Sequence, residues 1–211
     1  MGYSVDIDGI RNWVRSNISE KRYLHTLGVE KEARKIAEVF MPDKADKLAV
    51  AALLHDITKE NGPESHMNFC EKLGIELPAG IKNSPKLFHA ITGAYFARAV
   101  YGEAVVDDEV FAAIYYHTTG RRGMSLAEMI LYLADYIEET RTFDDCVKLR
   151  EYFYTGMTRV TNMEEAYMLL LKTLELSFDM TVKALIDEGS FVDTCTVDAR
   201  NYIIEQIRSR Q

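Results

Sequence analysis

Six side chains of the types that bind metals or move protons stand where their neighbours are apolar. His25 is followed by Val29 and Ala33 at i+4 and i+8, so it faces the buried side of a helix. His55 and Asp56 close the aliphatic run 48–54, with Asp56 at i+4 from Ala52 and i+3 from Leu53. His89 lies between Phe88 and Ile91, His117 ends an apolar helical run over 110–116, and Asp135 follows Leu131 by four residues. Any one such histidine is ordinarily a core imidazole bonded to a carbonyl. Carboxylates differ, because an ionised one buried without a partner is strongly destabilising. Asp56 and Asp135 therefore call for cations, and imidazoles are poor permanent counter-ions at neutral pH. A metal ion satisfies carboxylates and imidazoles together. Oxygen and nitrogen donors without a thiolate suit Fe, Mn, Co or Zn, and the chemistry they suggest is metal-assisted hydrolysis. His66 stands in the polar stretch GPESHMNF and reads as a surface residue.

Cationic groups flank these positions. Lys59 comes one helical turn after His55, and residues 118–122 (TTGRR) form a short polar turn beside His117. Gly120 allows a tight backbone there, the hydroxyls and amides suit phosphate oxygens, and an arginine offers a bidentate fork. Lys59 and Arg121 read as phosphate ligands. Arg122 is balanced between that role and a solvated charge. Tyr115, Tyr116, Tyr132 and Tyr136 are core by default, with one of them free to stack on a base.

Helices must position all of this. Val29, Ala33, Ile36, Ala37 and Phe40 make one apolar stripe; Ala45, Leu48, Ala49, Ala52 and Leu53 make a second. Ser84-Pro85 predicts an N-cap and first turn, opening a helix that runs to Gly102. Ser125 and Glu128 form an S-x-x-E capping box ahead of Leu126, Met129, Ile130, Leu133, Ala134 and Ile137. Tyr167, Leu171, Leu174, Phe178 and Leu185 define a long helix stopped near Gly189, and Thr196 is the expected cap of a last helix holding Ile203, Ile204 and Ile207. No period-2 run bounded by hairpin turns occurs. The expected fold is a single all-α domain, a helical bundle with a metal site in its core, spanning 21–211 after an N-terminal helical extension over 1–20.

Composition narrows the function classes. The chain has 211 residues and a formal charge of −8, so its field disfavours nucleic acids and anionic membranes. A phosphate-bearing ligand must then be small and met by local cations. Cys70, Cys146 and Cys195 are odd in number, scattered and without a CxxC, which indicates neither a disulfide framework nor a zinc knuckle and fits a reducing cytoplasm. The start MGYSVDIDG lacks the regions of a signal peptide, and Asp6 stands where N-myristoylation needs Ser or Thr. Nothing in the sequence decides between a monomer and a homodimer.

The order His25, His55-Asp56, Asp135 resembles the H…HD…D signature of HD-domain phosphohydrolases. The strings RYLHTLGVEKEA, AALLHDITKE, FHAITGAYFA, YHTTGRRGMSLAEMILYLADYIEETR and TVDARNYII narrow the resemblance to the YqeK family, bacterial HD proteins assigned as symmetrical diadenosine-tetraphosphate hydrolases. The resemblance implies that His25, His55, Asp56 and Asp135 hold iron, with one or two ions bound. It implies further that His89 and His117 contact substrate phosphates or complete a second metal site. Arg22, Lys59, Thr118, Arg141 and the segment 196–201, with Thr196, Arg200 and Asn201, match positions lining the nucleotide pocket. Members often carry Pro-Gly ahead of the arginine matched by Arg141, where this chain has Glu139-Thr140.

The function this implies is cleavage of a dinucleoside tetraphosphate such as diadenosine tetraphosphate to two ADP, with Lys59, His89, His117 and Arg121 as the catalytic groups. Two other readings use the same residues: an HD phosphohydrolase for another nucleotide, and a non-catalytic module that binds metal and nucleotide. No P-loop, GxGxxG or Nudix-like string is present.

Overall fold

The structure, a computed structural model, describes residues 5–78, 80–81 and 84–210. The first four residues of the segment expected as an N-terminal extension lie outside the described residues. Among those described there are helices and no strand. They are α1 (Ile7–Asn17), α2 (Glu20–Phe40), α3 (Ala45–Leu54), α4 (Pro63–Leu73), α5 (Phe88–Tyr101), α6 (Asp108–Tyr116), α7 (Leu126–Ile137), α8 (Asp144–Met157), α9 (Met163–Asp187) and α10 (Thr194–Arg208). None of them is long and apolar enough to cross a membrane.

The stripes read from the sequence become the core. Val29, Ala33, Ile36 and Ala37 of α2 pack with Leu48, Leu53 and Leu54 of α3, and with Ile130, Leu133 and Ala134 of α7, in one buried cluster. Helices α2, α3 and α7 touch one another, α5 packs on α6, and α8, α9 and α10 close the other side. α1 joins this cluster through Ile10 and Val14, and Arg11 is tied to Glu30 of α2 at 2.7 Å. After its first turn α3 is small and apolar all round, with Ala49, Ala51 and Ala52 letting neighbouring helices come close. From Leu48 on it has no polar face and it ends inside the protein, which delivers the next residues, His55 and Asp56, to the centre.

The helix ends show which local signals won. The Ser125–Glu128 capping box forms as expected, with both reciprocal bonds present. Ser84 stands ahead of a 3-10 turn (Pro85–Leu87), and its side chain makes no cap bond. The cap of α10 is Asp193 rather than Thr196: the Asp193 side chain accepts from the Cys195 amide, and Thr196 sits buried in the first turn. Aspartate is a better N-cap than threonine, and its charge complements the helix dipole.

Candidate metal centre

The four histidines from apolar stripes converge, and each is anchored through the same ring nitrogen. His55 Nδ1 donates to the Ala52 carbonyl at 2.6 Å, His117 Nδ1 to Ile114 at 2.7 Å, and His89 Nδ1 to Lys86 at 2.7 Å. A carbonyl only accepts, so these bonds set the tautomer and leave each Nε2 as a lone-pair donor. The bond for His55 also satisfies a carbonyl left over at the C-terminal end of α3. His25 is held differently, with Nδ1 at 3.0 Å from Glu138 Oε1. The rings form a row, His25 to His55 at 5.5 Å between centroids, His55 to His117 at 5.0 Å, and His117 to His89 at 5.0 Å.

The two carboxylates lie along that row. Asp135 Oδ1 is 3.1 Å from His25 Nε2 and 3.9 Å from His55 Nε2. Asp56 Oδ2 is 3.5 Å from His55 Nε2, while its Oδ1 lies 3.2 Å from His89 Nε2 and 3.5 Å from His117 Nε2. Each carboxylate also has an arginine: Arg22 Nη1 donates to Asp56 Oδ2 at 2.6 Å, and Arg141 Nη2 to Asp135 Oδ1 at 2.6 Å. Burial opposes ionisation of both aspartates, yet His55, His117 and His89 around Asp56, and Arg141 and His25 beside Asp135, outweigh it and hold both well below the usual carboxylate range. Burial drives His55 down to about 3 and His89 down to about 4, so both are neutral near pH 7. For His25 burial also works against the charge, but Asp135 and Glu138, one at each nitrogen, raise its pKa to about 9.

These residues fit a metal ion. His55 Nε2 and Asp56 Oδ1 are buried and have no hydrogen-bond partner, which is costly for polar atoms that are not ligands. Among the described residues His25, His55 and Asp135 form one group able to hold an ion, and His55, Asp56 and His117 another; within each group the donor atoms lie within 4.8 Å of one another. His55 belongs to both. A divalent cation would take the place of the proton on His25, as ligation requires a neutral imidazole.

The flanking residues divide. Lys59 Nζ lies 3.0 Å from His89 Nε2 and 3.9 Å from Asp56 Oδ1, and burial lowers its pKa. Thr118 Oγ1 is 3.4 Å from His89 Nε2. Lys59, Thr118 and Thr196 line one groove of about 530 Å³, with Phe191 also in its wall. Arg22 and Arg141 line a second groove, of about 710 Å³, that reaches His25.

Arg121, Arg200 and Asn201 do not join this centre. The Arg121 guanidinium forms a two-pronged pair with Glu128, the capping-box residue of α7, and lies over the Tyr116 ring. Arg200 is paired with Asp179 of α9, and it and Asn201 line a shallow outer groove. Arg122 is paired with Glu205. Each arginine has found a carboxylate on a neighbouring helix, which a one-dimensional reading does not display. Tyr132 is buried in a stack with Phe178 at 4.5 Å, which leaves no face for a base.

His66 is also corrected. It is buried, with Nδ1 at 2.7 Å from Thr92 Oγ1, and Thr92 meets Thr58, whose hydroxyl donates to the His89 carbonyl. Burial lowers its pKa. α4 is polar on most of its surface and buries only His66 and Cys70; their i, i+4 spacing was the available signal.

The residue missed altogether is Glu138. It is fully buried at the end of α7, bonded to His25, to the Thr140 amide at 2.6 Å and to the Thr140 hydroxyl at 2.6 Å. Gly28 makes room for it, because a Cβ there would fall 2.3 Å from Glu138 Oε2. Glu138 follows Asp135 by three residues and Gly28 follows His25 by three, so both share a helix face with a candidate ligand.

An all-α fold whose core presents histidines and an H…HD…D set on α2, after α3 and on α7 defines a class of metal-dependent hydrolases. The chain belongs to the HD domain family, whose model matches residues 22–140. It is 34% identical over 163 residues to the symmetrical bis(5'-nucleosyl)-tetraphosphatase of Bacillus subtilis, covering 75% of this chain and 84% of that protein. With the protein of the same name from Staphylococcus aureus it shares 30% identity over 200 residues, 94% of each chain. A crystal structure from Clostridium acetobutylicum, described as a predicted HD superfamily hydrolase involved in NAD metabolism, matches with a TM-score of 0.82 and 36% identity over 96% of this chain and 98% of that one.

Proposed function

We propose that the protein is a metal-dependent hydrolase that splits diadenosine tetraphosphate, and related dinucleoside tetraphosphates, symmetrically into two ADP. The observation that carries this reading is the row of inward-facing imidazole nitrogens and two ionised carboxylates, flanked at both ends by cations, in a relative of symmetrical tetraphosphatases. His25, His55, Asp56 and Asp135 hold the ion; iron is our assignment, and Mn, Co or Zn suit the same donors. When bound, such an ion supplies Lewis acidity and a water of lowered pKa.

The chain's own residues do the rest. Burial lowers the pKa of Lys59 and a nearby phosphate would raise it, so proton binding at Lys59 and substrate binding are linked. His89 Nε2 and His117 Nε2 lie 3.1 Å apart with both Nδ1 atoms committed as donors. That contact is a hydrogen bond only when the pair holds one added proton. One of these two imidazoles delivers the proton to the departing ADP oxygen. Thr118 supplies a hydroxyl to the same phosphates. The net reaction adds one water across the central anhydride. The free thiols Cys70, Cys146 and Cys195 suit a protein working in the reducing cytoplasm.

Turnover in ¹⁸O-water tests the reading. Diadenosine tetraphosphate should yield two ADP, with the label on the terminal phosphate of only one of them. AMP plus ATP would place attack on an outer phosphorus and overturn the assignment. Products from mononucleotides alone would favour a different HD phosphohydrolase, and binding without products a non-catalytic module.

Lys59 and Arg121 separate in the same assay. Lys59→Met should keep its metal and lose kcat/KM by roughly 10- to 150-fold, the value of one charge-assisted contact. Arg121→Met should fall by less than about 3-fold, because its guanidinium is already spent on Glu128. Equal losses in both would return Arg121 to the phosphate.

A further inference from the structure

The two grooves border the histidine row at its opposite ends. The groove of Lys59, Thr118 and Thr196 opens beside His89, and the groove of Arg22 and Arg141 opens beside His25. They share no lining residue. The second groove has a composition that the catalytic centre does not require. Phe143, at the N-terminus of α8, is 72% exposed, and Leu24 on α2 is 53% exposed, although both stand beside the cations Lys21 and Arg22. Large apolar side chains next to arginines, in a cleft of nucleoside size, offer a stacking face together with a phosphate contact.

We propose that this groove is the second nucleoside subsite: a dinucleoside tetraphosphate lies along the histidine row, one nucleoside in the groove of Thr196 and Phe191, the other against Phe143 and Leu24. The inference rests on the function proposed above and adds where the second base goes. A symmetrical cut requires the reacting phosphorus to have a nucleoside diphosphate on each side, and the row lies between two clefts, each with an exposed phenylalanine. Arg22 and Arg141 hold Asp56 and Asp135 through one face of each guanidinium and lie in the cleft wall, so they meet the adjoining phosphates without a change of place. Lys21 adds charge at the rim.

The test uses the metal-loaded protein and two substrates with the same phosphate chain, diadenosine tetraphosphate and adenosine 5'-tetraphosphate, which has one nucleoside. Phe143→Ala should raise KM for the dinucleotide roughly 5- to 150-fold, the span measured for loss of one base–aromatic stack, with kcat little changed. The same variant should handle adenosine 5'-tetraphosphate within about 2-fold of the wild type, and Phe143→Tyr should retain the dinucleotide KM. Equilibrium dialysis with ADP should find two sites per wild-type chain and one in Phe143→Ala. An unchanged dinucleotide KM in Phe143→Ala, equal losses on both substrates, or a single ADP site in the wild type would each overturn the subsite while leaving the hydrolase reading intact. A wild type that does not cleave the dinucleotide overturns that reading, and the subsite with it.

Discussion

Asp56→Ala and Asp135→Ala are each expected to emerge from purification without stoichiometric transition metal, with hydrolysis reduced by about 1000-fold or more. An active-site ion is worth several kcal/mol of charge stabilisation, and about 1.4 kcal/mol is a tenfold change in rate. The helical circular dichroism should persist, because neither side chain belongs to the hydrophobic cluster. Stability should fall rather than rise. Removing the Asp56 carboxylate leaves Arg22, bonded to it at 2.6 Å, and Lys59, at 3.9 Å, facing each other with no anion between them. Removing Asp135 does the same to Arg141 and to His25, which that carboxylate helps keep protonated. Burying one partner of a pair without the other costs more than the intact pair contributes. Metal content by elemental analysis and the thermal midpoint decide the matter. Stoichiometric metal in either variant would remove that aspartate from the ligand set, and a higher midpoint would show that burial of the charge outweighs its pairing.

What the sequence made legible follows from periodicity. Each of His25, His55, Asp56, His89, His117 and Asp135 sits on an apolar stripe or at its end, and such a stripe faces the core, so their inward direction was legible; that they meet at one place depends on how α2, α3, α5, α6 and α7 pack. His66 failed that test because α4 lies at the edge: two inward residues are too few to mark a stripe. Arg121 and Arg200 failed for another reason. Their positive charge was visible, but the carboxylates that consume it, Glu128 seven residues on and Asp179 on a different helix, are paired with them only by the packing of α7, α9 and α10. Thr196 was displaced as a cap by Asp193 three residues earlier, in a D-x-x-T arrangement where either residue could cap and the carboxylate prevailed. Glu138 escaped notice because an acidic residue at a helix end reads as solvated. Its burial depends on the absence of a side chain at Gly28 on another helix.

That dependence yields a large effect from a single methyl group. In Gly28→Ala the new Cβ would lie 2.3 Å from Glu138 Oε2, so the carboxylate must move. It cannot retreat freely, since Oε1 meets His25 and the Thr140 hydroxyl while Oε2 accepts from the Thr140 amide. The bond to His25 Nδ1, which faces the same helix, is the one expected to break, and His25 then loses its ring orientation. Groups that orient a ligating histidine are typically worth 10- to 100-fold in metal affinity or activity. Gly28→Ala should therefore weaken metal binding by about that factor, although position 28 holds no group that could touch metal or substrate. Glu138→Gln should act in the same direction: with its oxygen toward His25, the amide nitrogen faces the Thr140 N–H and one hydrogen bond becomes a donor–donor contact. In both variants excess metal should restore most of kcat, because the ligands themselves remain. Metal titration with activity as one readout and direct binding as the other separates this from loss of fold, which added metal would not repair. Wild-type affinity in both variants would mean that His25 is held by Asp135 alone, and that Glu138 only closes the end of α7.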